Sequence, residues 1–386
     1  MAMARCVGVL ILVAGAATAQ AQDTTFQWTI PPRYPKPPVP VDNPMSRVKV
    51  ELGRRLFYDR RMSVNGRQSC ASCHRQELAF TDGRPRSSGT TGARHPRGSM
   101  SLANAAYAPA LTWANPTTTS LEDQALVPMF GTDPTELGLA GKGEAFLELI
   151  RRDTLYQRLF TRAFPDDTAA ITLTNVVRAI ATFERTIISM GSPYDRYRFG
   201  GDRNAISDAA KRGEAFFFSG QRGGSFQCHG GWNLSGDVRH EARPDVSAQF
   251  FNTGLYNVAG PVSYPAPNTG IHEITRRPED VGKFRAPTLR NVAVTAPYMH
   301  DGSIATLGEV LDHYAAGGRT IATGPYAGVG RDNPNRAPSM RPFAMTDDDK
   351  RDLIAFLESL TDSAFLRNPN LADPWRSADH GRPFRP

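Results

Sequence analysis

The sequence predicts a mainly α fold of two similarly planned domains joined by long ordered loops. Three observations carry this. Apolar residues recur at helical spacing, most clearly at Val176, Val177, Ile180, Phe183 and Ile187. Almost no stretch alternates apolar and polar residues as a half-buried strand would. The chain also starts again part-way: Glu51–Tyr58 (ELGRRLFY) and Lys211–Phe218 (KRGEAFFF) each place a glycine and then an apolar triplet shortly before a Cys-His dipeptide. An internal repeat of this kind predicts two units of one plan. The 386 residues leave room for both, and a 40% apolar content with 20 Phe can fill two cores, while 30 Pro and 34 Gly demand much loop.

Taken in order, residues 1–21 read as a secretory signal. Arg5 supplies the positive end, Val7 to Ala14 the apolar run, and Ala17-Thr18-Ala19 or Ala19-Gln20-Ala21 the small-residue cleavage site. The run is too short to span a bilayer, so the chain is expected in the periplasm with no membrane span. Residues 22–45 form a Pro-rich segment, with seven prolines between Pro31 and Pro44, expected to lie as an extended strap.

The first domain, 46–195, opens with Ser46 as N-cap and Val48, Leu52, Leu56 and Phe57 on one helical face. After the Asn65-Gly66 turn comes Cys70-Ala71-Ser72-Cys73-His74, then loop punctuated at Asp82-Gly83, Gly89 and His95-Pro96. Helices follow at Leu121–Met129, Glu144–Phe164 and Thr174–Ser189. The second domain, 196–370, begins after the break at Ser192–Tyr194 and Gly200-Gly201, with Ser207 capping a new helix. It closes with a Gly/Pro/Asn-rich stretch at Tyr256–Gly270, a short helix at Thr306–Tyr314 and a terminal helix. Thr346 and Asp349 make an acidic capping box there, and Leu353, Ile354, Phe356, Leu357 and Leu360 its buried face. Residues 371–386 are a tail.

The C-x-x-C-H at Cys70–His74 signals covalent attachment of a c-type haem. Each thiol can add across one vinyl group, and the imidazole of His74 becomes the proximal iron ligand. A zinc site would want a second short cysteine pair, and the sequence has none. A redox dithiol would sit between a strand and a helix, whereas these flanks are polar and loop-like. Removal of the signal takes Cys6 with it and leaves Cys70, Cys73 and Cys228, an odd number that argues against a disulfide framework. The net charge of +7 is carried by scattered basic residues and would be offset by haem propionates, which argues against nucleic-acid binding.

Several motifs in fixed order resemble the di-haem cytochrome c peroxidase/MauG family, and most closely its methanobactin-associated, MbnH-type branch. They are Cys70–His74, Leu121–Ala125 (LEDQA), Ala179–Thr186 (AIATFERT), Phe284–Asn291 (FRAPTLRN), Thr295–Gly302 (TAPYMHDG) and Val310–Gly318 (VLDHYAAGG). The resemblance runs from about Tyr34 to Leu360 and implies two cytochrome c-like domains, each with one c-type haem. It assigns Gln124 and Glu136 to the peroxide-binding face of the first haem, where a carboxylate can move a proton between peroxide oxygens and an amide can orient them. It assigns Trp113 to electron transfer between the haems.

For the second haem the resemblance implies Cys228 and His229 as attachment and proximal ligand, and Tyr314 as distal ligand where the peroxidases of the family carry a methionine. Met299, His300 and His313 are the competing ligands. The second motif reads Ser225-x-x-Cys228-His229, so that haem is expected to hang on one thioether. The family's calcium site would take the carbonyls of Thr295 and Pro297. Its asparagine is replaced by Gly98, which removes a side-chain oxygen from a hard-cation site and leaves water to substitute.

The resemblance therefore implies a periplasmic oxidoreductase that uses hydrogen peroxide to form a high-valent di-haem state and oxidises a protein or peptide partner. A cytochrome c peroxidase drawing electrons from a small c-type cytochrome is the alternative, separated by Tyr314. A non-catalytic di-haem electron-transfer protein is the third reading, separated from both by Glu136 and Gln124.

Overall fold

A computed structural model describes residues 26–220, 226–260 and 262–376. The expected signal segment and Ser225 lie outside the described residues. The longer helices are α1 (Arg47–Tyr58), α2 (Leu121–Phe130), α3 (Gly143–Arg151), α4 (Thr154–Ala163), α5 (Leu173–Glu184), α6 (Pro193–Arg198), α7 (Asp208–Phe217), α8 (Leu307–Ala315) and α9 (Asp347–Glu358). Sheet among the described residues is limited to two short antiparallel pairs, Phe250–Phe251 with Phe284–Arg285 and Thr320–Ile321 with Gly328–Val329. The fold is mainly α, and no described helix is long and apolar enough to cross a membrane.

Capping chemistry starts most of these helices where the sequence predicts. Ser46 Oγ accepts from the Lys49 amide at 3.2 Å, and Ser207 Oγ accepts from the Ala210 amide at 3.1 Å. Thr306 with Glu309, and Thr346 with Asp349, form capping boxes ahead of α8 and α9. Two expected helices are shorter than their periodicity. The run Glu144–Phe164 divides into α3 and α4 because Asp153 Oδ1 accepts from the Leu155 amide at 2.8 Å and caps a fresh helix. The run Thr174–Ser189 ends at Glu184. Beyond it Asn104 takes over the backbone, its amide donating to the Ile187 carbonyl at 2.9 Å and its Oδ1 accepting from the Ser189 amide at 2.9 Å. Ile187 is still fully buried, so the apolar period outlives the helix.

Two helix crossings organise the two cores. In the first, α1 meets α5 at Gly53, where a Cβ would lie 1.8 Å from the Ala179 carbonyl oxygen and 2.9 Å from Phe183 Cβ. In the second, α7 meets α9 at Gly213, where a Cβ would lie 2.0 Å from the Asp352 carbonyl oxygen and 2.9 Å from Phe356 Cβ. Only a glycine lets the backbones approach so closely. Leu52, Leu56, Phe57, Phe80 and Phe183 fill the first core, and Phe217, Leu353, Phe356 and Leu360 the second, with Ile354 only half-buried.

Residues 26–45 contain no helix, and the segment is pinned at several points. The Tyr34 hydroxyl donates to Asp195 Oδ1 at 2.5 Å, and the Tyr107 hydroxyl donates to the Pro35 carbonyl at 2.7 Å. At the other end, Phe365 and Leu371 return to the first core, and Trp375 Nε1 donates to the Arg55 carbonyl at 3.2 Å.

Candidate active site

Cys70–Cys73 forms one helical turn, started by the reciprocal Ser69–Ser72 capping box. The chain then doubles back through Ala79 and Phe80, at φ 51° and 62°, and a bridge between Arg75 and Thr81. This reversal brings the Phe80 carbonyl to 2.7 Å from His74 Nδ1. The bond makes Nδ1 the donor and leaves the Nε2 lone pair for a ligand role, as in iron- and zinc-ligating histidines. Burial keeps the imidazole below its usual pKa, so it is neutral.

Cys70, Cys73 and His74 line a cavity of about 370 Å³, and Trp113, Gln124 and Glu136 line the same cavity. The structure thus brings together every residue expected at the first haem. Burial pushes the Cys73 thiol up to about 11 and Cys70 further, and neither is in a disulfide. Gln124 sits near the start of α2. Past the end of α2 the chain folds back, with the Leu137 amide on the Pro128 carbonyl at 2.9 Å, and this carries Glu136 to the cavity wall. Burial raises the Glu136 carboxyl above the ordinary range. The Trp113 indole donates to the Gly98 carbonyl at 2.8 Å, which fixes its ring against the cavity.

The second site is built on another single turn, Phe226–His229. His229 Nδ1 lies 3.2 Å from the Leu234 carbonyl and 3.1 Å from that of Pro287, again leaving Nε2 free, and burial lowers its pKa to about 4. Tyr314 lies near the end of α8. Desolvation, and then Cys228, push its phenol up. A neutral phenol is the resting form in such a site, and ionising it calls for a cation beside the oxygen.

Of the competing ligands, His313 adjoins Tyr314 on α8, their rings 5.2 Å apart. Met299, like Trp113 and Tyr298, packs against a third apolar cluster. His300 stacks on Phe284 at 3.7 Å with no partner for Nε2, and buried His313 has none for either ring nitrogen among the described residues. Thr295 and Pro297, the expected calcium carbonyls, follow the short helix Val292–Val294, and the Gly98 amide donates to the nearby His300 carbonyl at 2.9 Å.

Three cavity residues escaped the sequence reading. His95 Nε2 lies 3.7 Å from Glu136 Oε1; burial lowers the imidazole's pKa, so this is a contact of a neutral ring with a carboxyl. Nothing in His95-Pro96 signals it. Glu184 faces the cavity with Oε2 unpartnered among the described residues, and burial raises it to about 8. A carboxylate in register with Val177 and Ile180 on an apolar face was the available signal. Arg285 lines both the cavity and a small cleft beside Cys228. Desolvation lowers its guanidinium to about 10, and among the described residues it pairs with no carboxylate, its side chain donating to the Thr112 carbonyl and to Met100 Sδ.

These features fit c-type haem. Two thiols and an imidazole with a fixed tautomer share one cavity, and a further thiol, Cys228, stands next to a second imidazole whose Nδ1 is likewise held by backbone carbonyls. A desolvated guanidinium between them lacks the anion that a propionate would provide.

A family model described as di-haem cytochrome c peroxidase matches residues 47–204. The chain is 36% identical over 367 residues to the cytochrome-c peroxidase IdrP1 of Denitromonas iodatirespirans, covering 90% of each. It is 33% identical over 365 residues to the methylamine utilization protein MauG of Methylorubrum extorquens, covering 93% of each. The crystal structure of a MauG-like protein associated with microbial copper homeostasis superposes with a TM-score of 0.88 at 46% identity, over 91% of this chain and 100% of that one.

Proposed function

Since the chain belongs to the di-haem cytochrome c peroxidase/MauG family, and with it to the peroxide-dependent oxidoreductases with two c-type haems, we propose that it is an exported oxidase of a protein or peptide partner. The observation that carries this reading over a cytochrome-fed peroxidase is Tyr314, half-buried near the end of α8 with its phenol raised by desolvation and then by Cys228, at the position where the resemblance puts the peroxidases' methionine. An oxygen anion favours oxidised iron by charge complementarity, whereas a thioether favours the reduced state that an electron-accepting haem needs.

The haems, when bound, supply the redox chemistry that takes two electrons per peroxide. Cys70 and Cys73 would hold one, over His74; Cys228 alone would hold the other, over His229. Phe80's carbonyl keeps His74 in the tautomer that presents Nε2. Gln124 orients the peroxide. Glu136, raised toward its protonated form by burial, carries a proton from one peroxide oxygen to the other as the O–O bond breaks. Trp113, clamped through Gly98 at the wall of the first cavity, would serve as the electron conduit toward the second haem. Arg285 would neutralise haem propionates, and the carbonyls of Thr295 and Pro297 remain the candidate calcium ligands. The glycine crossings at Gly53 and Gly213 support reading 46–195 and 196–370 as copies of one cytochrome c-like plan.

The test is to add stoichiometric peroxide to the diferric protein and record visible and near-infrared spectra. A long-lived near-infrared band is expected, and Tyr314→Phe should abolish it while both haems stay bound. Turnover that occurs only with reduced cytochrome c, together with a methionine-ligated reduced spectrum, would decide for the peroxidase.

A further inference from the structure

On the surface formed by loop 84–94, Tyr256, Asp301 and the 319–326 segment lies a groove of about 810 Å³, lined by Arg84, Arg86, Arg94, Arg319, Tyr256 and Tyr326. Among the described residues Asp301 is the one carboxylate on its wall, and it is occupied: Oδ2 accepts from the Tyr256 hydroxyl at 2.6 Å and Oδ1 from the Ser303 amide at 3.1 Å. Four guanidinium charges thus face one carboxylate. A concave wall with this surplus focuses its potential on anions and suits an extended acidic chain, which can enter where a flat bilayer surface cannot.

The same groove holds the exposed end of a file of aromatic rings. Tyr326 is 41% exposed, and its ring lies 5.7 Å from that of buried Tyr256. Tyr256 lies 5.6 Å from Tyr264, which lies 6.2 Å from Phe284 and 6.5 Å from His300. The next residue, Arg285, donates its amide to the Trp113 carbonyl at 2.9 Å. Aromatic rings therefore lead from solvent to the strand that abuts Trp113.

We propose that this groove binds an acidic segment of the protein partner, and that Tyr326 and Tyr256 pass the partner's electrons inward. The proposal rests on the peroxide-dependent reading above. Each electron oxidises the partner by one equivalent. Tyr256, on giving an electron inward, hands its hydroxyl proton to Asp301 Oδ2 and recovers it when Tyr326 reduces it. Tyr326 releases its proton to solvent and regains an electron from the partner and a proton from solvent. The Tyr264 hydroxyl faces the Asn252 amide oxygen at 3.2 Å, which cannot take a proton, so Tyr264 couples its neighbours without holding the charge itself. Two such electrons and two protons reduce one hydrogen peroxide to two waters.

A fluorescein-labelled oligoglutamate peptide carrying one tryptophan serves as probe, with the full chain and its haems in place. Anisotropy should show salt-sensitive binding that weakens about tenfold or more in Arg84→Glu/Arg86→Glu. In Tyr326→Phe the peptide should bind as before while peroxide-driven oxidation of its tryptophan, read by mass spectrometry, slows. Equal binding by the double variant, equal oxidation in Tyr326→Phe, or stronger binding to phosphatidylglycerol vesicles than to the peptide would each overturn the proposal. Peptide binding does not require turnover. Peroxide consumption with a small-molecule reductant, measured in parallel, therefore separates failure of the underlying enzyme reading from failure of the groove.

Discussion

At the scale of single residues, the site contains two carboxyl groups, Glu136 and Glu184, whose pKa burial raises. Glu136→Gln keeps the shape and hydrogen bonding of the side chain but cannot shuttle a proton, so peroxide-dependent spectral change should slow by about 10²–10⁴-fold, measured by stopped flow. Glu184 makes a different prediction. Its pKa of about 8 lies above the ordinary 4.5, so between those values the folded protein holds a proton that the unfolded chain has released. Stability from this source is present at low pH and lost as pH rises toward 8. Glu184→Gln should therefore melt like the parent near pH 4 and above it at pH 8, and coincident melting curves at pH 8 would contradict the assignment. Legibility divides along the same line. Cys70, Cys73 and His74 announce their chemistry by spacing, because covalent attachment constrains neighbours in the chain. Glu136 and Tyr314 could be named only through the surrounding motifs, and His95 not at all, because its role arises from a loop contact across 41 residues that no local pattern encodes.

At the scale of elements, the helix starts were legible because capping is local: Ser46, Ser207, Thr306 and Thr346 each satisfy amides within three residues. The ends were less so, since Asn104 terminates α5 from 80 residues upstream. The two crossings yield a matched prediction. Gly53→Ala and Gly213→Ala force a methyl into a backbone carbonyl on the facing helix, at 1.8 and 2.0 Å, so each should destabilise by about 3 kcal/mol or more in denaturant titrations. Gly66→Ala is the control. It has a left-handed φ of 64° but nothing within 4 Å of the added carbon, so it should cost only about 1 kcal/mol. Equal losses at all three positions would mean that backbone conformation, not the crossing, sets the cost.

For the whole molecule, the point of convergence is a buried knot that joins the strap, the middle of the chain and the FRAPTLRN motif. Asp195, inside the Ser192 capping box, receives Arg290 Nη1 at 2.8 Å and Nη2 at 2.9 Å, together with the Tyr34 hydroxyl at 2.5 Å. The Arg290 side chain is 1% exposed and lies between the rings of Tyr34 and Trp232, 5.7 and 5.6 Å away. Breaking one partner of such a pair strands the other charge, so Asp195→Asn should lose about 3–5 kcal/mol. Tyr34→Phe removes one neutral donor from a carboxylate that keeps its arginine, and about 1–3 kcal/mol should follow. The pH dependence has a definite sign. Hydrogen bonds from Arg290, Tyr34 and Ser192, with the guanidinium charge, outweigh desolvation and hold the Asp195 carboxyl below the ordinary 3.8. Its contribution is therefore present above that pH and lost as pH falls through the depressed value. Because the knot ties segments that otherwise pack into separate cores, Asp195→Asn should also split unfolding. Absorbance of the haem and tryptophan fluorescence should give coincident guanidinium transitions in the parent and Tyr34→Phe, and separate ones in Asp195→Asn. Coincident transitions in all three would mean that the two cores are coupled elsewhere, with the returning Phe365–Trp375 segment the next tie to cut.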